Sequence, residues 1–176
     1  MSDQRAGRKQ NRGPAAAADN RRALVRAARE LFTEQGFAVP FSAIARRAGV
    51  GQASLYRHFP DKSSLGIAVF DENLQSLEGL DLGLHEFLET IAGQARVSAS
   101  LLEVLISTQS PAALELAARL RALIAGILER ERLDQSVSID DVAAAVSMIA
   151  FHTASSPASD AASRAIAIVE QGLLPR

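Results

Sequence analysis

Phe41-Ser-Ala-Ile-Ala-Arg-Arg-Ala-Gly-Val-Gly-Gln-Ala-Ser-Leu-Tyr-Arg-His-Phe59 is the stretch on which the fold turns. Pro40 can take a first helical position, and Phe41, Ile44, Ala45 and Ala48 make an inward face. Gly49 stops this short helix, and Gln52–Phe59 makes the next. Two helices crossing steeply over a tight turn form a helix-turn-helix. The crossing needs a small residue where the helices touch (Ala45) and a residue tolerant of positive φ in the turn (Gly49). It also needs apolar anchors, here Ile44, Val50, Leu55 and Phe59. A hairpin made only for packing would share those features. It would not explain the outward Arg46, Arg47, Gln52, Ser54, Tyr56, Arg57 and His58, which are phosphate and base-edge donors.

Outward from this stretch the pattern stays helical. On the N-terminal side, Leu24, Ala28, Leu31 and Phe32 form one stripe of an amphipathic helix, with Asn20 as its cap and Gly36 as its stop. Residues 1–19 carry Arg5, Arg8, Lys9 and Arg12 without an apolar period and are expected to be a disordered basic tail. On the C-terminal side, Pro60-Asp61 ends the second short helix and Asp61 can cap a helix over 62–77. Further helices are expected over 82–94, 98–108, 111–131, 140–153 and 159–173. Ser110-Pro111 gives one a cap and a first-turn proline, and Ser138 with Asp141 resembles a capping box. No useful segment alternates with period two. The expected fold is all-α with about nine helices: a tail (1–19), a three-helix head (20–65) and a helical body (66–176).

Charge divides along the same line. Residues 1–65 hold twelve Arg or Lys against five Asp or Glu, a net of +7, and the remainder holds seven against fifteen, a net of −8. A polyanion-binding head on an acidic body is the implied arrangement. With 48% hydrophobic residues the chain is not a disordered one, and zero cysteines exclude disulfides, zinc fingers and thiol nucleophiles. No apolar run reaches the ~18 residues of a membrane span, and no apolar leader core follows the N-terminal basic residues. A cytoplasmic protein is expected.

Residues 21–65 resemble the DNA-binding domain of the tetracycline-repressor (TetR) family. The resemblance rests on Ala27-Ala28-Arg-Glu-Leu-Phe32, Gly36-Phe37, Ile44-Ala45, Ala48-Gly49-Val50, Leu55-Tyr56-Arg-His-Phe59 and Lys62-Ser-Ser-Leu65. It implies that Gln52, Ala53 and Ser54 face base edges in the major groove. Tyr56, His58 and Lys62 would reach phosphates, with Arg46, Arg47 and Arg57 adding charge. Where the family usually carries a capping Ser or Thr before the second and third helices, this chain has Val39 and Gly51, so neither side chain is assigned a phosphate.

The helix over 140–153 is apolar nearly all round, with Val142, Ala145, Val146 and Ile149 on one side and Ala144, Met148 and Phe151 on another. Such a helix needs cover on two faces. The last helix carries a matching stripe at Ala162, Ile166, Val169 and Leu173. A homodimer through a two-fold four-helix interface is therefore expected, lined by Val142, Val146, Ile149, Ile166, Val169 and Leu173. The resemblance further implies a small-molecule effector held in the body, with Phe70, Phe87, Ile91, Leu105, Met148 and Phe151 as lining and Gln109 or His152 as orienting groups.

No catalytic residue, metal site or cofactor is assigned. His85-Glu86 with Glu89 lacks the second histidine of a helical zinc motif. Asp140, Asp141 and His152 lie eleven or twelve residues apart on one helix, about 16–18 Å, and cannot converge. The expected function is a ligand-responsive DNA-binding repressor acting on a near-palindromic operator. The alternative is a helical binding or enzyme-like module that has lost DNA binding.

Overall fold

The computed structural model describes residues 13–107, 110–131, 136–156 and 160–173. These form nine helices: α1 (Gly13–Gln35), α2 (Phe41–Ala48), α3 (Gln52–His58), α4 (Lys62–Glu78), α5 (Leu84–Gly93), α6 (Ala95–Ser107), α7 (Pro111–Arg130), α8 (Ile139–Ser155) and α9 (Ala161–Leu173). No strand occurs among the described residues.

The helix boundaries follow local chemistry. Asp61 caps α4: the Ser64 amide donates to its carboxylate at 2.7 Å, and its own amide donates to Ser64 Oγ at 3.4 Å. Ser138 and Asp141 exchange the same pair of bonds at the start of α8, at 3.2 and 2.8 Å. Ser110 Oγ accepts from the Ala113 amide, with Pro111 opening α7. Gly36 and Gly49 both take positive φ, +71° and +67°, and end α1 and α2.

Several boundaries depart from expectation, among them the start of α6 at Ala95 in place of residue 98. The first helix begins at Gly13, so Asn20 lies inside it and does not cap it. The run Ala15–Ala18 is a strong helix former, and it lets α1 extend back into what was expected to be tail. Residues 1–12, with Arg5, Arg8, Lys9 and Arg12, lie outside the described residues. Pro40 is the extended residue preceding α2, not its first helical residue, and makes no side-chain cap. The fifth helix starts at Leu84 because Glu86 accepts from the Gly83 amide at 2.9 Å and Glu131 of the α7 terminus accepts from the Leu84 amide at 3.0 Å.

Two apolar cores result. One joins Leu24, Ala28 and Phe32 of α1, Ile44 of α2, Leu55 of α3 and Leu65, Val69 and Leu74 of α4. Val97 and Leu101 of α6 and Leu116 of α7 belong to it too, so the packing runs straight across the expected boundary after residue 65. The other gathers Phe87 and Leu88 of α5, Ile124 and Ile127 of α7, Val142, Val146 and Ile149 of α8, and Ile166 and Leu173 of α9.

Candidate nucleic-acid interface

The turn between α2 and α3 is built from backbone. Gly49 and Val50 donate to the carbonyls of Arg46 and Ala45, at 3.2 and 3.0 Å. Leu55 donates to Gly51 at 3.0 Å and opens α3 with no side-chain cap. Ile44 and Leu55 are fully buried, and these anchors set which face of α3 points outward.

That face holds Gln52, Ala53, Tyr56 and Arg57, all exposed. Ser54 is half-buried and accepts from Arg57 Nη2 at 3.1 Å, which steers the guanidinium back along the helix. Tyr56 is 57% exposed and its ring meets Phe41 edge-on at 5.4 Å between centroids. The phenol is thus braced at its base and open at its tip. His58 is half-buried at the end of α3, and Arg46 is exposed with no ion pair among the described residues.

Two expected phosphate donors are already engaged. Arg47 donates to Glu34 through both terminal nitrogens (2.9 and 2.8 Å) and to Glu30 at 3.2 Å, tying α2 to α1. The hydrogen bonds it donates to Glu34 and Glu30 hold its guanidinium firmly charged, and Arg47 in turn lowers the Glu34 carboxyl below its usual range. Lys62 Nζ donates to the main-chain carbonyls of Phe37 at 2.6 Å and Val39 at 3.1 Å. Both groups were expected to meet DNA; the structure gives each a partner within the protein, on α1 for Arg47 and on the α1–α2 connection for Lys62. Neither the Val39 nor the Gly51 side chain offers a donor: Val39 is buried.

Residues 24–69 match the family described as bacterial regulatory proteins, tetR family. The head belongs to the TetR family. The chain is 38% identical over 61 residues to HTH-type transcriptional regulator SAB2452 of Staphylococcus aureus, a match covering 34% of this chain and 33% of that protein. A second S. aureus regulator, SAUSA300_2515, is 39% identical over 59 residues, 33% of this chain and 32% of its own length. The match therefore spans about a third of the length of these relatives.

Across nearly the whole chain the likeness is to solved structures. A TetR regulatory protein from Mycobacterium vanbaalenii superposes with a TM-score of 0.57 at 26% identity, covering 92% of this chain and 99% of that one. A TetR regulator from Rhodococcus sp. RHA1 gives 0.57 at 20% identity, covering 86% and 95%. A regulator from Saccharomonospora viridis solved in complex with choline gives 0.59 at 14%, covering 90% and 100%.

In the body, α8 faces the other way round from expectation. Val142, Val146, Ile149, Ile166 and Leu173 are buried by their own chain, which corrects their assignment to a subunit interface. They pack in the second core against Phe87 and Leu88 of α5 and Ile124 and Ile127 of α7. Val169 is half-buried at the edge. The uncovered side carries Met148, Phe151 and Ile168, which are 60%, 41% and 71% exposed. Met148, His152 and Ile168, with Ile149, Arg164 and Val169, line an open groove of about 510 Å³ between α8 and α9. So Met148, Phe151 and His152, expected inside an effector pocket, lie on the outside.

Of the other expected lining residues, Phe70 and Ile91 share a cavity of about 40 Å³ with Leu74, Leu101, Leu120 and Val146. Phe87 is fully buried in the second core, and Leu105 packs against the first. Gln109 lies outside the described residues. Two groups went unnoticed in sequence. Arg119 of α7 clasps α4, donating to Asp71 at 2.7 Å and twice to Glu78 at 2.9 and 2.7 Å. Gly66 sits inside α4, where a glycine costs about 1 kcal/mol against alanine and so signals a close approach.

Proposed function

We propose that the chain is a DNA-binding transcriptional regulator, a repressor that leaves a near-palindromic operator when a small-molecule effector enters its body. The observation that carries this is the outward face of α3. Gln52 and Ala53 stand open at the helix's N-terminal end, with Tyr56 and Arg57 beside them and nothing among the described residues across them. A glutamine amide can grip adenine by donating and accepting at once, and an alanine methyl suits a thymine methyl. Ser54 reaches the same groove through its Arg57 partner. Tyr56, Arg57, His58 and Arg46 supply the phosphate contacts, and Arg47 and Lys62 act within the head. No catalytic chemistry is assigned, and the working site is the cytoplasm, where operator DNA is.

The regulator works as a homodimer. One α3 spans too few base pairs for selectivity, whereas two placed ~34–36 Å apart enter successive major grooves. The groove between α8 and α9, with Met148, Phe151 and Ile168 around it, is the apolar surface that a second copy covers. The effector site is the small cavity around Phe70 and Ile91. At about 40 Å³ it falls far below the ~300–1,000 Å³ of a usual ligand pocket, so an effector must part α4 from α6 and α7 to enter. Parting them moves α4, which begins in the head at Lys62 beside Pro60-Asp61.

A mobility shift with the DNA upstream of the chain's own coding sequence tests this. Tight binding that resists random competitor DNA supports the reading. Equal affinity for both DNAs, or none for either, removes it.

A further inference from the structure

Phe37 lies in the connection between α1 and α2, and α4 grips it with two residues one turn apart. Lys62 donates to its carbonyl and to that of Val39, at 2.6 and 3.1 Å, and the ammonium stands 4.7 Å from the centroid of its ring. Gly66 makes room for the ring. A Cβ there would come within 3.3 Å of Phe37 Cε2 and 3.0 Å of Val104 Cγ2 on α6, tighter than ordinary contact. The same ring meets Phe32 of α1 at 5.3 Å. Val39 directly precedes Pro40, the extended residue from which α2 starts.

We propose that Lys62 is a positioning residue: it fixes α2 and α3 to the start of α4 through the Phe37–Val39 connection, and carries displacement of α4 to the recognition helix. This rests on the DNA-binding reading of the head. A lysine ammonium has three donors, and two are spent on carbonyls in a half-buried place. Reaching out to a phosphate would leave those carbonyls unpaired and give up the ring. When α4 shifts, bonds this short either break or drag residues 37–39 along, and the start of α2 goes with them.

The full-length chain carrying Lys62→Met or Lys62→Gln tests it. Methionine keeps an apolar stem over Phe37 but no donor; glutamine keeps a neutral donor. Lys62→Met should speed amide exchange at residues 41–45 and weaken operator binding by about tenfold, a loss of about 1.4 kcal/mol. The slope of log affinity against log salt should stay at its wild-type value. Lys62→Gln should recover most of both losses. A slope reduced by about 2 in the dimer, as two lost phosphate contacts require, overturns the proposal in either variant. So does unchanged exchange. Exchange is measured without DNA, so a wild-type chain that binds no operator sinks the functional reading and leaves the joint still tested.

Discussion

Gln52 is the residue from which most of the selectivity of the α3 face should come. It is exposed and stands on the first turn of α3. Gln52→Ala removes one donor–acceptor pair per half-site and leaves the charge unchanged. The expected cost on the operator is about 1–3 kcal/mol, with relaxed preference at one symmetric base position and little change on random DNA. Binding titrations on operator and scrambled duplexes measure both. Equal weakening on the two would mean that another part of the head enters the groove. Arg47 shows the reverse case, since its guanidinium is spent on Glu34 and Glu30 and adds rigidity between α1 and α2.

Among the elements, α8 and α9 separate core from exposed surface within a few residues. Ile149 is buried and Met148, its neighbour, is 60% exposed. Ile149→Ala should cost about 2–5 kcal/mol of folding stability, seen as a lower urea midpoint. Met148→Glu should leave that midpoint close to wild type when measured on the monomer, yet halve the mass seen by light scattering. A dimer that survives Met148→Glu would move the interface elsewhere. A second element-scale prediction concerns His85 at the start of α5. Its Nδ1 lies 2.7 Å from Glu170 on α9, with Glu89 at 3.5 Å on the other side of the ring. The hydrogen bond and charge of Glu170 raise the His85 pKa above its usual value. A raised folded pKa means the tie is fully present below the ordinary histidine pKa of about 6.5 and is lost as pH climbs through the folded value. Wild-type thermal midpoints should therefore fall across that window as pH rises. The His85→Gln protein should lose this component, and an identical profile would refute the tie.

At the scale of the molecule, head and body share a core. Leu101 and Val97 of α6 and Leu116 of α7 sit in the same apolar cluster as Phe32 and Leu55. Arg119 adds a polar clasp between α7 and α4. A head packed in this way cannot melt by itself without uncovering body side chains. The chain holds one tyrosine, Tyr56, and no tryptophan, so its fluorescence reports the head alone while far-UV circular dichroism reports every helix. The two urea transitions should superimpose, as a single cooperative unit requires. A tyrosine transition at clearly lower urea would show the head unfolding separately. Shared packing also couples body to head: parting α4 from α6 and α7 would disturb side chains that position α1, α2 and α3.

What the sequence by itself determined was local and periodic. The apolar stripes, Gly36 and Gly49 in turns, and the caps at Asp61, Ser110 and Ser138 are short-range physics, and each is where its residue type puts it. So is the outward set on α3, because the anchors Ile44 and Leu55 are a few residues away. Tertiary structure alone decided the rest. Which side of the all-apolar α8 faces its own core depends on where α5, α7 and α9 come to lie, and Val142 and Met148 look alike until they do. Lys62 and Arg47 read as free cations in one dimension, and only folding brings the Phe37 and Val39 carbonyls to one and Glu30 and Glu34 to the other. Periodicity tells which residues share a face, but what meets that face is set by contacts distant in sequence.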